Sequence, residues 1–223
     1  MQNTIGYAKK MDSQDPLAAY RERFYIPQVK DRDAYYFSGN SLGLQPKSTQ
    51  GFLHQELDDW AQYGVEGHFH AKHPWVSYHK ILTDPFARLV GAKPAEVVAM
   101  NGLTVNLHLM LVSFYRPEGK RTKIICEAKA FPSDQYTLES QVKFHGLEPE
   151  ETIVEVAPRA GEHAIRQEDI YSKITEVGDE LALVFWGGVN YYTGQVFDMG
   201  AIAKSAHDVG ALCGLDLAHG VGN

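Results

Sequence analysis

The sequence predicts an α/β fold in which helices cover a mainly parallel sheet, and two observations support this prediction. From Glu96 onward, apolar runs of strand length alternate with amphipathic stretches of helix length, which is the βαβα succession of a parallel sheet. The 223 residues are 44% hydrophobic and 22% charged, so the chain can bury a large core. We therefore expect an α/β domain over residues 96–223, preceded by a helical segment over residues 1–95.

The helical character of the first segment rests on caps and spacing. Asp15 followed by Pro16 predicts a helix start, and the helix is expected to continue to about Phe24. Apolar residues at intervals of three and four predict a helix over 48–63 and a second amphipathic stretch over 75–89.

Two polar segments interrupt these helices. Residues 34–44 predict a short strand that leads into a tight, exposed turn, which could present Asn40 and Ser41 to a ligand, although most turns of this composition are only turns. Residues 67–74 contain three histidines, and neutral imidazole is a common zinc ligand. No helix is expected through this segment, and no nearby Cys or carboxylate completes a metal site. A loop that offers one histidine to a substrate is the favoured interpretation.

The second segment carries the alternating pattern in chain order. Its predicted strands lie over 97–100, 123–126, 152–156, 181–186 and 212–217. Its predicted helices lie over 105–115, 133–145, 167–177 and 200–209.

The last predicted strand contains a carboxylate, Asp216, inside an apolar run and is followed by His219 and a glycine-rich turn. An unpaired carboxylate buried there would cost roughly several kcal/mol, so Asp216 needs a cationic or strongly hydrogen-bonding partner. One interpretation is that Asp216 lies at the strand end and caps the next turn. The other is that it pairs with a cofactor nitrogen, because ligands collect at the carboxyl ends of parallel strands.

Two further strand-to-helix junctions have residues suited to chemistry. Residues 101–104 combine a glycine, free backbone N–H groups and the Thr104 hydroxyl, which suits a phosphate but also describes an ordinary helix N-terminus. At the second junction Phe131 could stack on a planar ring, and Asp134 could cap its helix or hydrogen bond near a cofactor. Together with Asp216, these junctions supply the parts of a pyridoxal phosphate (PLP) site.

Charge and hydropathy limit the classes of partner. The formal net charge of −7, without a long basic run, argues against a nucleic-acid partner. No segment has the apolar length of a signal peptide core or a bilayer span, so we expect a cytoplasmic protein that acts on a small molecule. Cys126 and Cys213 fall within predicted strands, where reduced, inert thiols are expected.

The chain resembles kynureninase, a PLP-dependent hydrolase of the aminotransferase-like fold type I group. Several ordered motifs that span nearly the whole chain carry the resemblance: FSGNSLGLQPK at 37–47, GH and HPW within 67–75, NGLTVNLHLML at 101–111, FPSDQY at 131–136, NYYTGQ at 190–195 and GLDLAHGVGN at 214–223. The resemblance implies that 96–223 is the first part of a PLP-dependent transferase-like large domain. It also implies that 1–95 contributes to the substrate site and to a homodimer.

The resemblance implies roles for individual residues. The implied PLP site consists of Leu103, Thr104, Phe131, Pro132, Ser133, Asp134, Asp216 and His219. Within it, Leu103 and Thr104 hold the phosphate, and Phe131 stacks on the pyridine ring. Asp134 lies close to the ring, and the catalytic pair is Asp216, which binds the ring nitrogen, with His219 beside it. Ser41 and His68 are the implied substrate contacts, and no metal is implied.

The implied reaction is hydrolysis of L-kynurenine or 3-hydroxy-L-kynurenine to anthranilate or 3-hydroxyanthranilate and L-alanine, a step of tryptophan degradation and NAD biosynthesis. The family's Schiff-base lysine lies beyond the last motif, so we expect these residues to be the N-terminal half of the enzyme, inactive alone and truncated before the C-terminal domain. Two alternatives remain open: another fold type I enzyme, such as a cysteine desulfurase or class V aminotransferase, or a non-catalytic binding partner.

Overall fold

The computed structural model describes residues 2–222 and divides them into two compact units. The first unit ends at Ile81 and the second begins at Leu82. The predicted boundary after residue 95 therefore falls inside the second unit. None of the helices described between residues 2 and 222 combines the length and apolar composition that crossing a membrane requires.

The first unit consists of helices and one small hairpin. Its α-helices are α1 (Ile5–Gln14), α2 (Thr49–Tyr63) and α3 (Gly67–His70), and its antiparallel strands are β1 (Gln28–Val29) and β2 (Arg32–Asp33). Short 3₁₀ helices cover Ala18–Arg23, Gly64–Glu66 and Trp75–Leu82. The predicted helix over 48–63 is confirmed as α2, which ends where Gly64 adopts a positive φ of 54°.

Three predictions for the first unit are wrong. The predicted helix from Asp15 to Phe24 is only the 3₁₀ helix Ala18–Arg23, because Asp15 Oδ1 accepts a hydrogen bond from Leu17 N (2.8 Å) and forms a turn after α1 instead. No strand forms over 34–44, since the hairpin lies earlier in the chain. The histidine-rich segment does contain a helix, the single turn of α3.

The second unit alternates helices and strands, as the sequence predicts. Its α-helices are α4 (Thr83–Val90), α5 (Leu103–Phe114), α6 (Pro132–Phe144), α7 (Pro149–Thr152), α8 (Gln167–Val177) and α9 (Met199–Asp208). Its strands are β3 (Lys123–Glu127), β4 (Ile153–Val156), β5 (Leu181–Gly187) and β6 (Leu212–Asp216). Short 3₁₀ helices cover Pro94–Glu96 and Gly178–Glu180. Two details differ from prediction: residues 97–100 form no strand, and α7 is an extra turn of helix before β4.

The strands β3 to β6 form a parallel sheet in the order β4–β3–β5–β6, which confirms the predicted fold class. Side chains alternate between the two faces. Ile125 and Val184 pack with buried residues of α8 and α9 on one face, whereas Ile124 and Leu183 pack with those of α5 and α6 on the other. The core therefore has two apolar layers, one on each side of the sheet.

The strand order creates a switch point between β3 and β5. From β3 the chain leaves toward β4 on one side, and from β5 it leaves toward β6 on the other. In open parallel sheets, ligands bind in the crevice that opens at such a point, outside the carboxyl ends of the strands. The residues that follow β3, β5 and β6 are therefore the first place to look for a site.

Candidate active site

Three strand ends meet at the switch point. β3 ends in the buried Glu127, and the left-handed backbone of Lys129 (φ 58°) turns the chain toward Phe131 at the start of α6. β5 and β6 are joined beyond their ladder, because Gly188 N donates to the Asp216 carbonyl oxygen (2.8 Å). Side chains from these strand ends thus face one small region of the second unit.

Carboxyl groups dominate this region. Glu127 and Asp134 are only 5% and 4% exposed, and both interact with Asp216. Burial, the hydrogen bond to Asp216 and the charge of Asp216 together raise the pKa of Asp134 to about 7. Burial also raises the pKa of Glu127, the hydrogen bond from Asn190 opposes that rise, and the charge of Asp216 adds to it. The region therefore favours either a bound proton or a bound cation.

Of the two interpretations that the sequence context of Asp216 allows, the cap is confirmed, and the pairing with a cofactor nitrogen stays a prediction. Its Oδ1 accepts a hydrogen bond from Ala218 N (2.7 Å), so it does cap the turn after β6. Its side chain also interacts by hydrogen bonding with the carboxyl group of Asp134, which helps to raise the pKa of Asp134. The strand around Asp216 is less buried than predicted, since β6 is an edge strand in the described part of the chain and its Leu212 is 46% exposed.

Aromatic rings border the carboxyl groups. The ring of Phe131 meets the ring of Tyr191 edge-on, with centroids 5.2 Å apart and planes at 88°. His219 lies 6.3 Å from each of these two rings, measured between centroids. Phe131 remains 41% exposed, so part of its surface is open to a planar ligand. Pro132 and Ser133 form the first turn of α6, and the Ser133 hydroxyl donates to Asp134 Oδ1 (3.3 Å).

The predicted phosphate-binding junction lies at the N-terminus of α5. The side chain of Asn106 holds Asn101, which lies two residues before the helix begins. Asn106 Oδ1 accepts from Asn101 N (3.1 Å), and Asn106 Nδ2 donates to the Asn101 carbonyl oxygen (2.9 Å). Leu103 and Thr104 are exposed in the first turn, where backbone N–H groups have no intrahelical partner. Leu103 also lines a cavity of about 460 Å³ whose wall includes Asp216. This helix end and the acidic strand end therefore border a common space.

The two predicted substrate contacts belong to the first unit. Ser41 is exposed in a turn in which its N–H donates to the Ser38 carbonyl oxygen (3.0 Å). His68 lies in α3, where its Nδ1 is 2.8 Å from the Val65 carbonyl oxygen and its ring meets the Trp75 ring edge-on at 5.2 Å. Across residues 2–222, no three His, Cys, Asp or Glu side chains are grouped so that they could hold a metal ion.

Sequence reasoning assigned no role to three residues of the site. Glu127 follows the apolar run of β3, which is the same signal that drew attention to Asp216. Asn190 and Tyr191 stand in the NYYTGQ motif, but nothing in their spacing indicates that Asn190 hydrogen bonds to Glu127 or that Tyr191 contacts Phe131. These contacts join residues about 60 positions apart, so only the strand order brings them together.

Curated relatives match the chain along its whole length. It is 58% identical over 222 residues to a kynureninase from Christiangramia forsetii, which covers 100% of this chain and 52% of the relative. A kynureninase from Myxococcus xanthus is 53% identical over 223 residues, with the same coverage. The chain thus spans about half the length of the curated relatives it matches. No protein-family model matches it.

Solved structures of similar fold include a cysteine desulfurase and an enzyme described with a PLP cofactor. A cysteine desulfurase from Escherichia coli superposes with a TM-score of 0.67 at 17% identity, over 91% of this chain and 49% of that one. A variant of a cystine C–S lyase, described with glycine covalently linked to its PLP cofactor, superposes with a TM-score of 0.64 at 13% identity, over 81% and 44%. Such identities establish the fold alone. By sequence the chain is a relative of the kynureninases along its whole length, and its fold is that of the fold type I PLP enzymes.

Proposed function

We propose that this chain forms part of a kynureninase, which hydrolyses L-kynurenine or 3-hydroxy-L-kynurenine to anthranilate or 3-hydroxyanthranilate and L-alanine. The observation that carries the proposal is the identity of up to 58% over the full chain to curated kynureninases. Because the chain spans about half of those relatives, the activity is proposed for the whole protein. The corresponding place in metabolism is tryptophan degradation and NAD biosynthesis, in a cytoplasmic homodimer.

The residues at the switch point fit PLP. Asp216 offers a carboxylate to a protonated ring nitrogen, and the cation relieves the crowding of negative charge with Glu127 and Asp134. Phe131 offers an exposed ring face, and the first turn of α5, with Thr104, offers N–H and hydroxyl donors to a phosphate. When bound, PLP supplies an electron sink that stabilises negative charge on the substrate's α-carbon.

The chain's own residues have separable tasks in this proposal. Asp216 keeps the ring nitrogen protonated, because a carboxylate in a partly buried site favours a neighbouring cation. Asp134 takes or releases a proton as the charge on Asp216 is compensated, because its pKa of about 7 lies in the physiological range. Phe131 and His219 form the wall beside the ring and limit access of water. Ser41 and His68 are the proposed substrate contacts.

The decisive experiment compares two substitutions of Asp216 in the full-length protein. Asp216→Asn keeps an oxygen that can accept from Ala218 N and so preserves the cap, whereas Asp216→Ala removes both cap and charge. We expect the rate of anthranilate release from L-kynurenine to fall roughly a hundredfold or more in both variants, because neither keeps the carboxylate charge that holds the ring nitrogen protonated. Only Asp216→Ala is expected to lower the melting temperature.

A matched control is Glu176→Gln, because Glu176 is exposed on α8 and, among residues 2–222, forms an ion pair with Lys173 alone. If Asp216→Asn keeps near-normal turnover, Asp216 is only a cap and the proposed role is wrong. The wild-type full-length protein is also assayed with L-cysteine, since the solved structures of similar fold include a cysteine desulfurase. Release of sulfide without release of anthranilate would replace kynureninase by that activity.

A further inference from the structure

We propose that Glu127 and Asn190 are positioning residues: the hydrogen bond between them fixes Tyr191 edge-on against Phe131, so that Phe131 is held for stacking on PLP. This inference rests on the proposed function for its cofactor. Asn190 Nδ2 donates to Glu127 Oε2 at 3.0 Å, and we call this contact the Glu127–Asn190 clasp.

The clasp joins the two loops of the switch point. Glu127 is the last residue of β3, four positions before Phe131, and Asn190 directly precedes Tyr191 in the loop after β5. The two rings that meet at 5.2 Å therefore sit on loops whose ends are joined by this one side-chain bond. The strands β3 and β5 are paired in the sheet, but the two loops leave it in opposite directions beyond that ladder, so the clasp links them outside the sheet.

Asn190 also forms hydrogen bonds within its own loop. Its Oδ1 accepts from Tyr192 N (3.0 Å), Thr193 N (2.8 Å) and Thr193 Oγ1 (3.0 Å). With those donors on the oxygen, the amide nitrogen must be the atom that faces Glu127, so the orientation of the side chain is determined. The amide oxygen of Asn190 thus stabilises the Tyr191 loop, and the amide nitrogen connects that loop to Glu127 of β3.

The space for Glu127 depends on a glycine in β5. A Cβ added at Gly187 would lie 3.0 Å from Glu127 Oε1, which is closer than ordinary contact. Glu127 is 5% exposed, and the Asn190 bond is the hydrogen bond that the described residues provide to its carboxyl group. A buried carboxyl group without that donor would carry the full cost of its desolvation, so the clasp stabilises Glu127 as well as the loop.

The test removes the hydrogen bond of the clasp in the full-length protein and then restores it with donor and acceptor exchanged. Asn190→Asp keeps the oxygen that holds Tyr192 and Thr193 but places a second carboxyl group against Glu127, so only the clasp is lost at a pH high enough to ionise both groups, at which all variants are compared. Glu127→Gln keeps an oxygen that can accept from Asn190. The double variant Glu127→Gln/Asn190→Asp restores a bond in the reverse direction, since the new amide at position 127 donates to the new carboxylate. Gly187→Ala disturbs the same bond from a third position.

Two readouts are used for each variant. The dissociation constant for PLP should rise about tenfold in Asn190→Asp and in Gly187→Ala, and return toward the wild-type value in the double variant, in which the amide and the carboxyl group have exchanged places. Without PLP, chymotrypsin should cut after Tyr191 or Tyr192 several times faster in Asn190→Asp, and the double variant should again resist.

Each outcome bears on a definite part of the inference. If Asn190→Asp changes neither readout, or if the double variant is no better than Asn190→Asp, the clasp does not position the loop and the inference is wrong. If proteolysis responds but the affinity for PLP does not, the clasp holds Tyr191 without any effect on the cofactor, which also overturns it. If the wild-type protein does not bind PLP, the proposed function fails first, while the proteolysis still decides whether the clasp exists.

Discussion

At the scale of single residues, the acid–base state of the site depends on Asp134. This carboxyl group is buried at the start of α6 and interacts by hydrogen bonding with Asp216. Its pKa is about 7 in the folded protein and 3.8 in an exposed reference state. Between these two values Asp134 is therefore more protonated in the folded protein than in the unfolded chain, and the stability that it contributes falls as the pH rises through this window.

Asp134→Asn should remove that dependence, because an amide at this position can still donate to Asp216 but does not ionise. We expect the wild-type melting temperature to fall between pH 5 and pH 8 and that of Asp134→Asn to fall less. The difference should correspond to roughly a few kcal/mol at most, at about 1.4 kcal/mol for each pKa unit. Thermal unfolding without PLP, with the exposed Asp208→Asn as control, measures this. Parallel curves for wild type and Asp134→Asn would show that Asp134 is ionised throughout.

From sequence alone, single residues can be selected as site candidates where the local signal is strong. Asp216 interrupts an apolar run, and FPSD follows a strand, so the sequence alone is enough to select both. Glu127 also ends an apolar run, but its partner Asn190 is 63 residues away, and a contact of that kind depends on strand order. Tyr191 looks like an ordinary loop residue until Phe131 is placed beside it.

At the scale of elements, the first unit shows how close packing positions a candidate site residue. The Trp75 ring packs on α3 and contacts His68, and its Nε1 donates to Glu56 Oε2 of α2 at 3.0 Å. Gly67, at the start of α3, lies under the same ring. A Cβ there would come within 2.5–2.8 Å of three atoms of Trp75, so only glycine fits.

A pair of Gly→Ala substitutions tests this packing. Gly67→Ala should lower the free energy of unfolding by roughly 1–3 kcal/mol, the usual cost of overpacking a rigid neighbour. Gly51→Ala, within α2, has open space around the added methyl group and should raise it by about 0.5–1 kcal/mol through helix propensity. Denaturant unfolding followed by far-UV circular dichroism compares them. Equal effects of the two substitutions would mean that Trp75 does not pack on Gly67 in solution.

Elements with a full period of apolar residues are predictable, and short ones are not. The helix over 167–177 has the predicted bounds because its apolar period is regular and a glycine follows it. Residues 97–100 have strand composition but follow a 3₁₀ helix and form no ladder, so composition alone is misleading there. α3 and α7 are single turns, which are too short to give a periodic signal.

At the scale of the whole molecule, the parallel sheet and its switch point determine where chemistry is possible. The ends of β3, β5 and β6 bring three carboxyl groups, two aromatic rings and an imidazole to one region, although their sequence positions range from 127 to 219. The same sheet gives the edge strand β6 and the apolar cavity beside α5, within the described residues. The order of the strands, rather than any single motif, therefore produces the site.

The most direct test of this account is an experimental structure of the full-length protein with PLP bound. We expect the ring nitrogen to lie against Asp216, the phosphate at the first turn of α5 beside Leu103 and Thr104, and the pyridine ring on the face of Phe131. A complex in which PLP binds away from Asp216, or in which its phosphate binds elsewhere than at α5, would contradict the assignment of the switch point as the cofactor site.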